Sequence, residues 1–74
     1  MPTFRYRVYL ARPETKKGIW DYAATIIAKN KAEAIKYAYD NWQEETSRTN
    51  SLGITSLSVP ELKDCRSNVE LKND

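Results

Sequence analysis

The sequence predicts a small α+β domain of order β-β-α-β(-β), an antiparallel or mixed sheet with one helix packed on one face. Three observations predict it. The run FRYRVYL near the start alternates apolar and polar residues with period two. A second alternating run follows a polar loop that carries Pro13 and Gly18. A helical pattern then opens at Asn30 and repeats apolar residues at positions three and four apart.

Residues 3–11 form the first expected strand. Phe4, Tyr6, Val8 and Leu10 fall on one face, Arg5, Arg7 and Tyr9 on the other. Pro13 lacks a backbone donor and closes the strand. Segment 12–18 (RPETKKG) is a hairpin loop. The second strand is expected over 19–29, with Trp20, Tyr22, Ala24, Ile26 and Ala28 on the core face and Asp21, Ala23, Thr25 and Ile27 opposite. Alanines 24 and 28 let a helix approach the sheet, while Trp20, Tyr22 and Ile26 supply most of the buried area.

Asn30 and Glu33 have the spacing of a capping box, so the helix starts there and is expected to run to about Thr46. Its inner face carries Ile35, Ala38, Tyr39 and Trp42. Trp42 is the largest hydrophobic anchor on it. Residues 46–51 have poor helix propensity and read as a polar exit. A third strand is expected over 52–59, with Leu57 and Val59 toward the core, a bulge at Gly53 and a stop at Pro60. The long connection lets this strand lie beside the first. Residues 1–62 then make one compact domain, and 63–74 a tail or a short edge strand centred on 69–71.

Missing residue types restrict the chemistry. The 74 residues contain no histidine, one cysteine (Cys65) and two glycines (Gly18 and Gly53). Without imidazole there is no Ser–His or Cys–His pair, and one cysteine cannot build a Cys₄ or Cys₃His zinc site within the chain. Two glycines 35 positions apart exclude a dinucleotide fingerprint or a phosphate-cradling loop. Asp40 and Glu44 share a helix face that reads as solvated. Asp21 lies beside two aromatic residues, but period two turns it away from them. Cys65 next to Arg66 is the pattern of an activated thiolate, yet it has no base partner. The expectation is therefore a non-enzyme with no cofactor and no metal. The N-terminus has no apolar run of signal-peptide length, and a single cysteine fits a reducing compartment, so a cytoplasmic, non-membrane protein is expected.

Charge and aromatic placement suggest surfaces. Residues 1–36 hold eight basic and three acidic side chains, a balance of +5, while 37–74 hold four and seven, a balance of −3. Arg5, Arg7 and Tyr9 project from one face of the first strand, with Thr25 and Ile27 as neighbours. Arg12, Lys16 and Lys17 extend the positive edge along the hairpin loop, and Tyr37 is an exposed aromatic on the helix. These residues (Arg5, Arg7, Tyr9, Arg12, Lys16, Lys17, Ile27 and Tyr37) form the candidate interaction surface. The favoured function is a protein-binding module, an adaptor or an inhibitor of a larger protein or nucleoprotein complex. The alternative is a small nucleic-acid-binding protein using the basic and aromatic face of the first strand. An open sheet edge also makes a homodimer an expectation.

Overall fold

A computed structural model describes residues 2–51 and 59–72, the side chains of 49–51 excepted. Strand β1 (Phe4–Ala11) pairs antiparallel with β2 (Tyr22–Ala28) as a hairpin. Helix α1 (Lys31–Ser51) follows, then a short 3₁₀ turn (Leu62–Asp64) and strand β3 (Arg66–Lys72). The sheet order is β2-β1-β3, antiparallel at both joins, and α1 packs on one face. This is the small α+β fold that the sequence predicts.

Alternation in β1 builds the core. Tyr6, Val8 and Leu10 are buried and meet Ile26 and Ala28 from β2 and Ala34, Ala38 and Trp42 from α1. As the central strand, β1 has both edges paired, so its inward residues are the best covered. The small side chains of Ala28, Ala34 and Ala38 let the helix lie close over β2 and, less fully, over β1. Ile35 and Tyr39 complete the inner helix face, half-buried.

The start of α1 is fixed as its sequence implies. The Glu33 amide donates to Asn30 Oδ1 at 2.9 Å, and the Glu33 carboxylate accepts from the Lys29 amide at 3.3 Å. The reciprocal bond thus reaches one residue before the cap. At its other end α1 runs on to Ser51, which corrects the polar exit expected over 46–51. The Arg48–Glu44 pair, one turn apart at 3.3 Å, lies across this extension.

Two further expectations are corrected. The place beside β1 expected for residues 52–59 is taken by β3. Residues 52–58 lie outside the described residues, and the described end of that segment, Val59, packs half-buried against the core. Strand β3 sets Ser67, Val69 and Leu71 opposite Leu10, Val8 and Tyr6 on the helix side. It is longer than the expected 69–71 edge: its ladder with β1 runs from Arg66 to Lys72 and takes in polar residues that apolar alternation does not mark.

Trp20 also departs from its expected place. Strand β2 begins at Tyr22, so period two does not extend back to Trp20, and its ring packs on Tyr9 across the sheet from the helix. The helix-side position at this end is filled by Trp42, stacked on Tyr22 with ring centres 6.1 Å apart.

Candidate interaction face

The sheet face turned away from α1 is built in rows set by strand register. Lys72, Arg5 and Ile27 form one row; Glu70, Arg7 and Thr25 the next; Asn68, Tyr9 and Ala23 the third; Arg66 and Ala11 the last. Four cations (Arg5, Arg7, Arg66, Lys72) face one carboxylate (Glu70), a balance of +3. The four carboxylates of α1, Glu33, Asp40, Glu44 and Glu45, belong to the other layer. The sheet face is therefore basic, with two of its four cations, Arg66 and Lys72, drawn from the half of the sequence whose balance is −3.

Aromatic rings hold two of the arginines of this face, Arg7 and Arg66. The Arg7 guanidinium lies 5.6 Å from the Tyr9 ring centre and donates to Thr25 Oγ1 at 3.3 Å. Tyr9 and Trp20 are 5.9 Å apart, and the Arg66 guanidinium lies 5.8 Å from the Trp20 ring centre. Cation and ring attract through the ring quadrupole, so the series Arg7–Tyr9–Trp20–Arg66 orders four side chains across three elements. Ala11, paired with Arg66 in register, is fully buried although its parity points away from the helix.

Arg66 closes the series onto the hairpin loop. Its guanidinium donates to the Thr15 carbonyl and, at 3.3 Å, to the Lys16 carbonyl. The loop is tied again at Asp21, which accepts from the Arg12 amide at 2.8 Å and the Thr15 hydroxyl at 2.5 Å, and pairs with the Arg12 guanidinium at 3.2 Å. Burial opposes the charge on Asp21, but these donors, with the Arg12 and Arg66 charges, hold its pKa below the ordinary carboxylate value. Gly18, at φ +92°, takes the left-handed turn just before the chain returns to the sheet.

The expected surface is thus split. Arg5, Arg7, Tyr9 and Ile27 come together on the open face, with Ile27 57% exposed and Tyr9 half-buried in the stack. Lys16 and Lys17 are exposed on the loop that Arg66 holds at one end of this face. Arg12 leaves the group: its guanidinium lies 5.1 Å from the Trp42 ring centre on the helix side and is paired with Asp21. Tyr37 belongs to the helix layer. Lys72 and Arg66 are members that sequence reasoning missed, because period two in β3 is carried by only two large apolar residues, Val69 and Leu71.

The described residues contain no group of three or more histidine, cysteine or acidic side chains placed to hold a metal. Burial pushes the Cys65 thiol up, Asp64 adds to the rise, and Arg12 opposes it, which is the reverse of thiolate activation. The thiol points at the Glu61 carbonyl, 3.5 Å away. No described helix is long and apolar enough to cross a membrane. No family model, curated protein or solved structure matches the chain. The architecture is that of a small α+β domain without metal-site features among its described residues.

Proposed function

We propose that the chain is a protein-binding module, an adaptor or inhibitor that docks an acidic surface of a larger protein on its open sheet face. The observation that carries this reading is Arg7, pinned between the Tyr9 ring and the Thr25 hydroxyl in the middle of a face with balance +3. A guanidinium already ordered loses less freedom on meeting a carboxylate, and arginine is enriched among residues that dominate binding energy. Exposed Ile27, next to Arg5 across the strands, adds an apolar contact beside the charges.

The same cations would also attract phosphates, but stacking of bases needs available rings. The two rings of this face, Tyr9 and Trp20, are engaged with each other and each has a guanidinium over it. That arrangement favours a protein partner over single-stranded nucleic acid.

Capture from nuclease-treated source lysate tests the reading with three baits: the wild-type chain, Arg5→Glu/Arg7→Glu, and Lys36→Glu on the outer helix face. The expected result is one protein held by the wild type and by Lys36→Glu and lost with the double variant. Equal capture by all three, or recovery of nucleic acid alone before nuclease treatment, would overturn it.

A further inference from the structure

We propose that the outer edge of β2 pairs antiparallel with β2 of a second copy, about a two-fold axis through Thr25, with the Tyr37 flank of α1 meeting its counterpart above the joined sheet. Strand β2 is an edge of the sheet, and no described segment pairs with its outer side. Its sequence, YAATIIA, has no charge and no proline. Edge strands that avoid pairing carry charges, prolines or bulges. The opposite edge strand does so: β3 (RSNVELK) carries Arg66, Glu70 and Lys72. The two edges of one sheet therefore differ in protection, and only β2 is open in this sense.

A second copy is the occupant that the β2 side chains fit. With Thr25 opposite Thr25, Ala24 faces Ile26, Ala23 faces Ile27, and Tyr22 faces Ala28 across the join. Each large side chain meets an alanine, so both faces pack without crowding. No like charges meet, because the strand has none.

The helix supplies an independent observation. Successive helix residues are about 100° apart, so Tyr37 and Tyr39 lie on opposite flanks of buried Ala38. Tyr39 donates to the Pro60 carbonyl near the start of the β3 arm, which assigns its flank to the β3 side. Tyr37 is then on the flank over the free β2 edge, 43% exposed. Its height also matches. Helix α1 begins at Lys31, just after Ala28, and Trp42 stacks on Tyr22, so the midpoint of β2 at Thr25 lies near Tyr37. A two-fold axis through Thr25 brings the two Tyr37 side chains together. Paired strands lie about 4.8 Å apart and packed helices 8–10 Å apart, so helices placed slightly inside each β2 edge come to a normal packing distance. The result joins two three-stranded sheets into one of six strands, leaving Arg5, Arg7 and Lys72 accessible on the face away from the helices.

Sedimentation equilibrium of the reduced chain over a wide concentration range is the first measurement, with a mass approaching twice 8.6 kDa expected. Tyr37→Glu should raise the dissociation constant about tenfold or more. Register is tested by oxidation in a Cys65→Ser background. Opposed residues in an antiparallel pair have Cα atoms about 4.5–5.5 Å apart, within disulfide reach, so Thr25→Cys should crosslink to its copy. Ala23→Cys should not, since its copy would lie about 13 Å along the strand. A constant monomer mass, or crosslinking of Ala23→Cys as readily as Thr25→Cys, would overturn the proposal. Loss of lysate capture by Arg5→Glu/Arg7→Glu with dimer mass retained separates this interface from the open-face partner.

Discussion

The Arg12 guanidinium sits 5.1 Å from the centre of the Trp42 ring while paired to Asp21 at 3.2 Å. One side chain thereby joins the end of β1, the foot of β2 and the middle of the helix. The Arg12 side chain is only 12% exposed, so its apolar stem is withdrawn from water along with the charge it brings to the ring. Arg12→Ala is expected to cost about 1–3 kcal/mol, from the lost ring contact and the loss of a charged hydrogen-bond partner for Asp21. Arg12→Lys should recover less than half, because an ammonium cannot lie flat on the ring while keeping the Asp21 pair. Urea denaturation followed by circular dichroism gives both values; equal stability of the three proteins would contradict this account.

Trp42 itself is the anchor on which the helix depends. It is 5% exposed and stacked on Tyr22 at an interplanar angle of 13°. Its inner-face neighbours Ala34 and Ala38 bury little side-chain volume, so they cannot fill the space it would leave. Trp42→Ala should cost about 3–5 kcal/mol, a large share of what a domain of this size possesses. Trp42→Phe should lose less, since a ring remains to stack on Tyr22. Chemical denaturation midpoints of the two variants should fall in that order.

Asp21 gives stability a defined pH dependence. Its folded pKa lies below an unfolded value of about 3.9, so the stability it contributes is fully present above that value and is lost as pH falls through the folded pKa. Asp21→Asn should lower stability at neutral pH and flatten the acid limb of the stability profile. Melting temperatures measured from neutral to strongly acid pH should show the wild type and the variant converging at the acid end. Parallel curves across the whole range would mean that the carboxylate is not responsible.

Local chemistry explains what the sequence made legible. Tyr6, Val8 and Leu10 alternate in a strand with both edges paired, and Asn30 and Glu33 cap a helix within four residues, so pattern and fold coincide. Trp20 was unreadable because it precedes a bend at Asp21, whose amide bonds to the Leu10 carbonyl at 2.9 Å, and the period does not carry across it. Strand β3 was faint because it shows only Val69 and Leu71 toward the helix layer. On the candidate face, Arg5, Arg7, Tyr9 and Ile27 could be grouped from period two in a hairpin. The capture of Arg12 by Trp42 and of the loop by Arg66 could not, because those partners meet only after the helix and the third strand have returned to the sheet.

Arg66 is therefore the residue on which the order of the hairpin loop should depend. Its guanidinium donates to the carbonyls of Thr15 and Lys16, which are 51 and 50 positions away in sequence, and lies over the Trp20 ring. A guanidinium can serve two carbonyls and a ring face together because its donors lie in one plane and its faces are weakly hydrated. Removing it leaves both carbonyls without this donor and Trp20 without its cover, while the β1–β2 ladder and the core stay intact. Arg66→Ala should then loosen residues 13–20 far more than it destabilises the domain. Amide exchange should quicken at Ile19, whose amide is bonded to the Lys16 carbonyl at 3.0 Å, and change little at Val8 and Leu10. Limited proteolysis after Lys16 or Lys17 should quicken as well. Trypsin resistance equal to that of the wild type, with unchanged exchange at Ile19, would show that Asp21 and its donors hold the loop without Arg66. A uniform rise in exchange across β1 would instead show that Arg66 supports the whole sheet.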